Sequence, residues 1–205
     1  MEPAYFLTTA RLGFRWWTAD DAPLAQQLWG DPAVTHYIGG AHTPEQVAER
    51  FHNQFQYREQ CGAQYWPLFL LTVGAEQYSA RPMTPHVGPS IARPLRDDPV
   101  FVGVCGLRPA PLDRYAAGLG YLEMGFHLRP PFWRQGYGEE AARAVLAHAF
   151  DHFGVPAVYS CRHHENAASG NLILKLGFTP DGPQYVDDQG QTICNAFLLR
   201  REDRP

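Results

Sequence analysis

Trp133-Arg134-Gln135-Gly136-Tyr137-Gly138-Glu139-Glu140 is the stretch on which the fold turns. It lies between a strand-like run, Tyr121-Leu-Glu-Met-Gly-Phe-His-Leu128, and a helix-like run from Glu139 to about His152. A glycine-bearing loop at a helix start can present several backbone N–H groups to one anion, and the helix dipole adds positive potential there. Gly136 and Gly138 can take positive φ and let a ligand approach the backbone with no Cβ in the way. Glu139 and Glu140 favour the helix start, yet they compete with a bound anion unless they point outward. Taken alone, the stretch also fits an ordinary tight strand-to-helix turn. It is not a Walker loop, because no Gly-Lys-Ser/Thr follows. It also lacks the third glycine of the dinucleotide fingerprint.

Working outward, Thr8 to Trp17 is rich in β-formers and reads as a first strand. Thr18-Ala-Asp-Asp21 opens a helix that runs to about Trp29, where Asp31-Pro32 breaks it. Thr43-Pro44-Glu45-Gln46 opens a second helix, with a threonine cap, a first-position proline and a glutamine placed for a capping box. That helix runs to about Gln60. Tyr65 to Val73 reads as a central strand because it is apolar almost throughout. Gly74 to Pro99 carries five prolines and little periodicity, and reads as an insertion or lid. Strands follow at Val100–Leu107 and Tyr121–Leu128, separated by a loop from Arg108 to Gly120. Beyond the glycine loop come a helix, a short strand Ala157–Cys161, and a short helix opened by Asn166-Ala-Ala-Ser169 and stopped by Gly177. Two last strands, Gln184–Val186 and Thr192–Leu199, are joined at Asp187-Asp-Gln-Gly190. The succession implies one α/β domain, residues 1–205, with a mixed sheet.

Composition narrows the function. The chain has 205 residues, 45% of them hydrophobic, enough for a sizeable core. Its net charge of −4 favours neither nucleic acid nor an anionic membrane. No apolar run approaches the roughly 20 residues of a membrane span, and the first residues lack a signal-peptide pattern. A cytoplasmic location follows as the expectation. Cys61, Cys105, Cys161 and Cys194 are scattered and read as free thiols, with Cys105 and Cys194 buried in strands. His148 and His152 share a helical face, but no third ligand is placed by spacing, so no metal is expected. His163-His164-Glu165 either holds a proton acceptor or simply lies in a loop. Trp16, Trp17, Trp29, Tyr37 and Trp66 read as core, with Tyr37 also placed to line an acceptor site.

Three segments together resemble the GNAT superfamily of acyl-CoA-dependent N-acetyltransferases, and within it the RimJ/RimL-like branch. The first is Thr9-x-Arg11-Leu12-x-Phe14-Arg15, with Asp20-Asp21 and Leu28-Trp29-x-Asp31-Pro32-x-Val34. The second is Glu123-Met-Gly125-Phe126-His-Leu128 followed by Phe132-Trp133-Arg-Gln-Gly136-Tyr137-Gly138-Glu-Glu140-Ala141. The third is Asn166-x-x-Ser169 with Lys175-Leu-Gly177-Phe178. Nearly the whole chain takes part, and the Gly74–Pro99 stretch departs from the usual pattern.

The resemblance implies a three-layer α/β fold with a mixed, mostly antiparallel sheet whose two central parallel strands, Tyr121–Leu128 and Ala157–Cys161, splay apart. It implies acetyl-CoA as co-substrate and an amine as acceptor. The pantetheine arm would pair with backbone near Phe126, His127 and Leu128. The pyrophosphate would sit on the N–H groups of Arg134, Gln135, Gly136, Tyr137, Gly138 and Glu139. Asn166 would hydrogen-bond the cofactor while also capping its helix. The reaction implied is direct attack of a neutral amine on the thioester, with a backbone N–H near Phe126 or His127 polarising the carbonyl. Glu123 is the candidate base, or else a structural carboxylate or substrate anchor. Ser169 is the candidate acid, or else a helix-capping residue. The rival functions are an acyltransferase for another acyl-CoA and a CoA-binding regulatory domain without turnover. The acceptor is expected to be a protein N-terminus or a small amine, and an edge strand or the insertion could support a homodimer.

Overall fold

The computed structural model describes residues 5–71, 99–110, 122–186 and 192–204. Within them the chain builds one eight-stranded sheet in the order β1-β2-β3-β4-β5-β6-β8-β7. Its strands are β1 (Leu7–Thr8), β2 (Leu12–Phe14), β3 (Tyr65–Leu70), β4 (Phe101–Pro109), β5 (Leu122–Leu128), β6 (Ala157–His163), β7 (Thr179–Val186) and β8 (Thr192–Arg200). All six residues of β3 and the first seven of β4 are buried. Runs that are apolar on both faces can only sit between two helical layers.

Those layers are formed by α1 (Ala22–Trp29), α2 (Pro32–Thr35) and α3 (Pro44–Cys61) on one face, and α4 (Tyr137–Asp151) and α5 (Ala167–Lys175) on the other. Helix α4 lays Ala141, Ala142, Val145, Leu146, Ala149 and Phe150 against Leu107, Leu122 and Met124 of the sheet. On the opposite face Trp17, Leu28, Trp29 and Phe51 pack on Tyr65, Phe69 and Val104. Of the aromatic group expected in the core, Trp17, Trp29 and Trp66 are at most 2% exposed, whereas Trp16 and Tyr37 are only half-buried. Trp16 stacks on Phe6 at its edge. Among the described residues no helix is long and apolar enough to cross a membrane.

The expected α/β architecture is present, with corrections. The first strand is a hairpin, β1 and β2, because Thr9 folds the chain back: its N–H donates to the Leu12 carbonyl and its Oγ1 accepts from the Leu12 N–H at 3.0 Å. Asp31-Pro32 does not merely end α1. Asp31 caps the Ala33 N–H at 2.8 Å and Pro32 takes the first position of α2. Helix α4 begins two residues earlier than its apolar pattern suggests, at Tyr137. Strand β7 begins at Thr179, since the chain pairs with β8 directly after α5. Cys194 lies in a strand as expected but is half-buried rather than buried, whereas Cys105 is buried; all four thiols are free. The capping box of α3 forms as read, Thr43 and Gln46 exchanging side-chain to backbone bonds. The proline-rich insertion, most of the loop after Arg108 and the turn at Asp187–Gly190 lie outside the described residues.

Leu107 is fully buried where β4 meets α4. Leu107→Ala therefore lowers the unfolding free energy by about 2–5 kcal/mol, from lost transfer energy plus the cavity left behind. Urea denaturation checks this as a lower midpoint at unchanged slope.

Candidate active site

Strands β5 and β6 run parallel but pair only at Leu122–Val158 and Glu123–Tyr159. Beyond Glu123 they diverge, while each stays paired on its other side, β5 to β4 as far as Leu128 and β6 to β8 as far as His163. A V-shaped gap opens in the middle of the sheet. Ser160 bridges its narrow end by donating its hydroxyl to the Met124 carbonyl at 3.1 Å. Because strand amides alternate sides, this places Met124, Phe126 and Leu128 with their backbone groups toward the gap, and Gly125 and His127 toward β4. At the wide end the Trp133 indole donates to the Leu128 carbonyl at 2.6 Å. Phe126 is left between them on the open edge. Of the three residues expected near the pantetheine arm, His127 is the one whose backbone turns away.

The glycine loop sits where β5 leaves the sheet. Arg134 and Gly136 both have positive φ, 58° and 81°, and the chain re-enters helical geometry at Tyr137. The first N–H groups of α4 lack intrahelical acceptors, so those of Tyr137, Gly138 and Glu139 face out of the helix end. Arg11 secures this arrangement. Its guanidinium donates to the Gln135 carbonyl at 3.1 Å, lies 4.3 Å over the Tyr137 ring, and pairs with Glu140 at 2.6 Å. Glu140 also accepts from the Thr9 hydroxyl and the Arg11 N–H. Glu139 is held by Arg143 and Lys175 at 3.1 and 2.6 Å. Both loop carboxylates are thus neutralised by cations rather than competing at the amides. Gly138 is closely packed as well, since a Cβ there would meet Leu172 at 3.3 Å and Leu128 at 3.5 Å.

Glu123 sits at the apex of the gap, 4% exposed. Its Oε1 accepts from Arg108 Nη2 at 2.7 Å and lies 3.4 Å from the Tyr65 hydroxyl, while Oε2 is buried without a hydrogen-bond partner. The Tyr65 ring lies directly over Gly125, where a Cβ would meet it at 2.5 Å. Burial, then Glu123 and its other neighbours less the pull of Arg108, pushes the Tyr65 phenol well above its ordinary value. His127 packs edge-on to Tyr65 and accepts the Trp29 indole N–H on Nδ1 at 3.1 Å. Burial, then Arg50, Arg108 and His42, holds its pKa down to about 3. The ring is therefore neutral at physiological pH, with its proton on Nε2. Cys161 lies close enough to Glu123 and Cys194 to feel their charge.

Asn166 caps α5, its Oδ1 accepting the Ser169 N–H at 3.0 Å. Ser169 is therefore a first-turn residue and not itself the cap. Helix α5 adjoins the glycine loop through the Leu172–Gly138 contact and the Lys175–Glu139 pair. His163 and His164 stack on each other, and His163 also faces the Tyr37 ring at 5.5 Å. His148 and His152 stack at 4.6 Å, with His148 against Phe6 and Trp66. Among the described residues no three His, Cys, Asp or Glu are grouped to hold a metal. The expected loop and Glu123 thus lie at the two ends of one gap, and α5 packs beside the loop through Leu172 and Lys175. Sequence reading missed Ser160, Tyr65, Arg108 and the organising role of Arg11; of these only Arg11 stood in a quoted motif.

Burial works against the Glu140 charge, but hydrogen bonds from Thr9 and Arg11 outweigh it and hold the carboxyl below its ordinary 4.5. The stability it contributes is present above pH 4.5 and is lost as pH falls through the lowered value. Glu140→Gln should cost about 1–3 kcal/mol at pH 7. The difference from wild type should close as pH falls below 4.5, which denaturation across pH measures.

An acetyltransferase (GNAT) domain model matches residues 11–179. The uncharacterised N-acetyltransferase YoaA of Bacillus subtilis is 31% identical over 70 residues, 33% of this chain and 40% of that protein. The matched stretch thus spans less than half of that relative. An acetyltransferase from Agrobacterium tumefaciens has the same fold, with a TM-score of 0.69 at 20% identity, covering 98% of this chain and 99% of that one. RimL, a ribosomal L7/L12 α-N-protein acetyltransferase solved with coenzyme A, superposes with a TM-score of 0.66 at 13% identity, covering 96% and 98%. The match over residues 11–179 and the splayed central strands agree: the chain belongs to the GNAT acetyltransferase family.

Proposed function

We propose that this protein is an acetyl-CoA-dependent N-acetyltransferase that moves the acetyl group directly to a primary amine. The observation that carries the reading is the gap between β5 and β6, with a helix start and its glycine loop at the wide end and a buried carboxylate at the apex. The donor set fits the cofactor. The N–H groups of Tyr137, Gly138 and Glu139, with Gly136 giving backbone access, suit a pyrophosphate. The open edge at Phe126 suits the amide groups of a pantetheine arm.

Acetyl-CoA supplies an activated acetyl carbon. The Phe126 N–H, on the open edge, would donate to the thioester oxygen and stabilise the charge that develops there. A neutral amine forms the C–N bond, the C–S bond breaks, the amine loses one proton beyond the ammonium form, and the thiolate takes one up. Glu123 Oε2 is the acceptor for the amine proton, directly or through water, while Arg108 and Tyr65 fix Oε1. Ser169, in the first turn of α5, is the candidate donor to the thiolate, and Asn166 holds that turn in place. The unpartnered Oε2 also suits a second role for Glu123, as an anchor for the acceptor ammonium.

Thiol release from acetyl-CoA against a panel of amines tests the reading. Glu123→Gln should lower kcat about 10²-fold or more. Its residual rate should rise with pH as bulk solvent deprotonates the amine. Wild-type rates in both Glu123→Gln and Ser169→Ala would remove them as base and acid. Tight acetyl-CoA binding with no thiol released by any amine would leave a binding domain without turnover.

A further inference from the structure

A cavity of about 310 Å³ opens between α3 and the sheet on the face that carries Glu123. Its walls include Arg50, Asn53, Gln54 and Tyr57 of α3, Tyr65 of β3 and Arg108 of β4. Tyr65 and Arg108 are the two residues that hold the Glu123 carboxylate, so the cavity adjoins the apex of the gap. It lies at the opposite end of β5 from the glycine loop and is not part of the pyrophosphate site. Its volume suits a ligand the size of an amino acid or a short peptide end.

The charges in this cavity do not balance. Arg108 is matched by Glu123, but its Nε is buried with no hydrogen-bond acceptor. Arg50 makes no ion pair among the described residues; its guanidinium stands 5.9 Å over the Trp29 ring. Glu49, the acidic residue in the lining, is exposed and forms no ion pair with either arginine. The two guanidiniums are close enough to repel: burial and then Arg108 disfavour the Arg50 charge, and both arginines help keep His127 neutral. Two part-buried guanidiniums that line one cavity, with a carboxylate matching only one of them, suit an incoming anion.

We infer that the acceptor is a primary amine carrying its own anionic group, a carboxylate or phosphate, which seats between Arg50 and Arg108 and presents the amine toward Glu123. This rests on the acetyl-transfer reading of the same site and narrows it. A polyamine would instead place a second cation against two guanidiniums. The reaction is unchanged in its balance: the acetyl carbon passes from sulfur to nitrogen, and coenzyme A leaves as the thiol.

The experiment uses acceptor pairs that differ only in the anion, on the wild-type protein. They are β-alanine against β-alaninamide, O-phosphoethanolamine against ethanolamine, and C-terminally amidated Ser-Asp against Ser-Asn, with spermidine beside them. The small-molecule and peptide arms distinguish the source of the anion. In at least one pair the anionic member should show kcat/KM tenfold or more above its neutral partner, with spermidine slowest. Arg50→Gln should collapse that ratio toward one, Arg50→Lys should restore part of it, and Arg50→Glu should invert it. Calorimetry of the same pairs with coenzyme A present reads binding without turnover. Arg50-dependent binding of the anionic member with no thiol release would sink the transfer reading and keep the anion site. Equal or weaker use and binding of the anionic member in every pair would overturn the inference.

Discussion

The constraint on which the site depends is the separation of β5 from β6 after two paired residues. Backbone N–H and C=O groups in a sheet interior must find partners, so a gap there is costly unless something fills it. The protein satisfies part of the exposed edge itself. Ser160 takes the Met124 carbonyl and Trp133 takes the Leu128 carbonyl. What remains around Phe126 is a short stretch of strand edge held open between two fixed points. The strands cannot close upon it, because β4 holds β5 along its length and β8 holds β6 past the point of divergence.

Electrostatics then divides the gap into two ends of different chemistry. At the wide end, Arg11, Arg143 and Lys175 bind the carboxylates of Glu139 and Glu140, so the start of α4 keeps its positive character despite two acids in its first turn. At the apex a buried carboxylate is gripped on one oxygen only. The neutral His127 ring, fixed by Trp29, packs beside Tyr65 and adds no charge of its own. Arg11 links the N-terminal hairpin to the loop, so residues more than a hundred positions apart share responsibility for one helix start.

The helices and the middle of the sheet were legible in the sequence because their signals are local. The α3 capping box, the apolar face of α4 and the unbroken apolar run of β3 each have a period or cap that needs no tertiary context. The N-terminal hairpin was not, because the fold-back at Thr9 rests on a threonine hydroxyl and a distant glutamate rather than on a glycine or proline. At the site, the place of the glycine loop between a strand and a helix start, and Asn166 as the cap of α5, were readable locally. The Glu123–Arg108–Tyr65 cluster was not, because cross-strand register brings those three together and their spacing carries no pattern. The orientation of His127 likewise depends on strand alternation set by Ser160, a residue with no motif of its own.

Hydrogen–deuterium exchange with and without saturating acetyl-CoA tests the central claim most directly. If the gap is the cofactor site, protection should rise at Phe126 and across residues 134–139, while the amides of Gly125 and His127, turned toward β4, should change little. Protection confined to other parts of the chain, or none at saturation, would contradict the account.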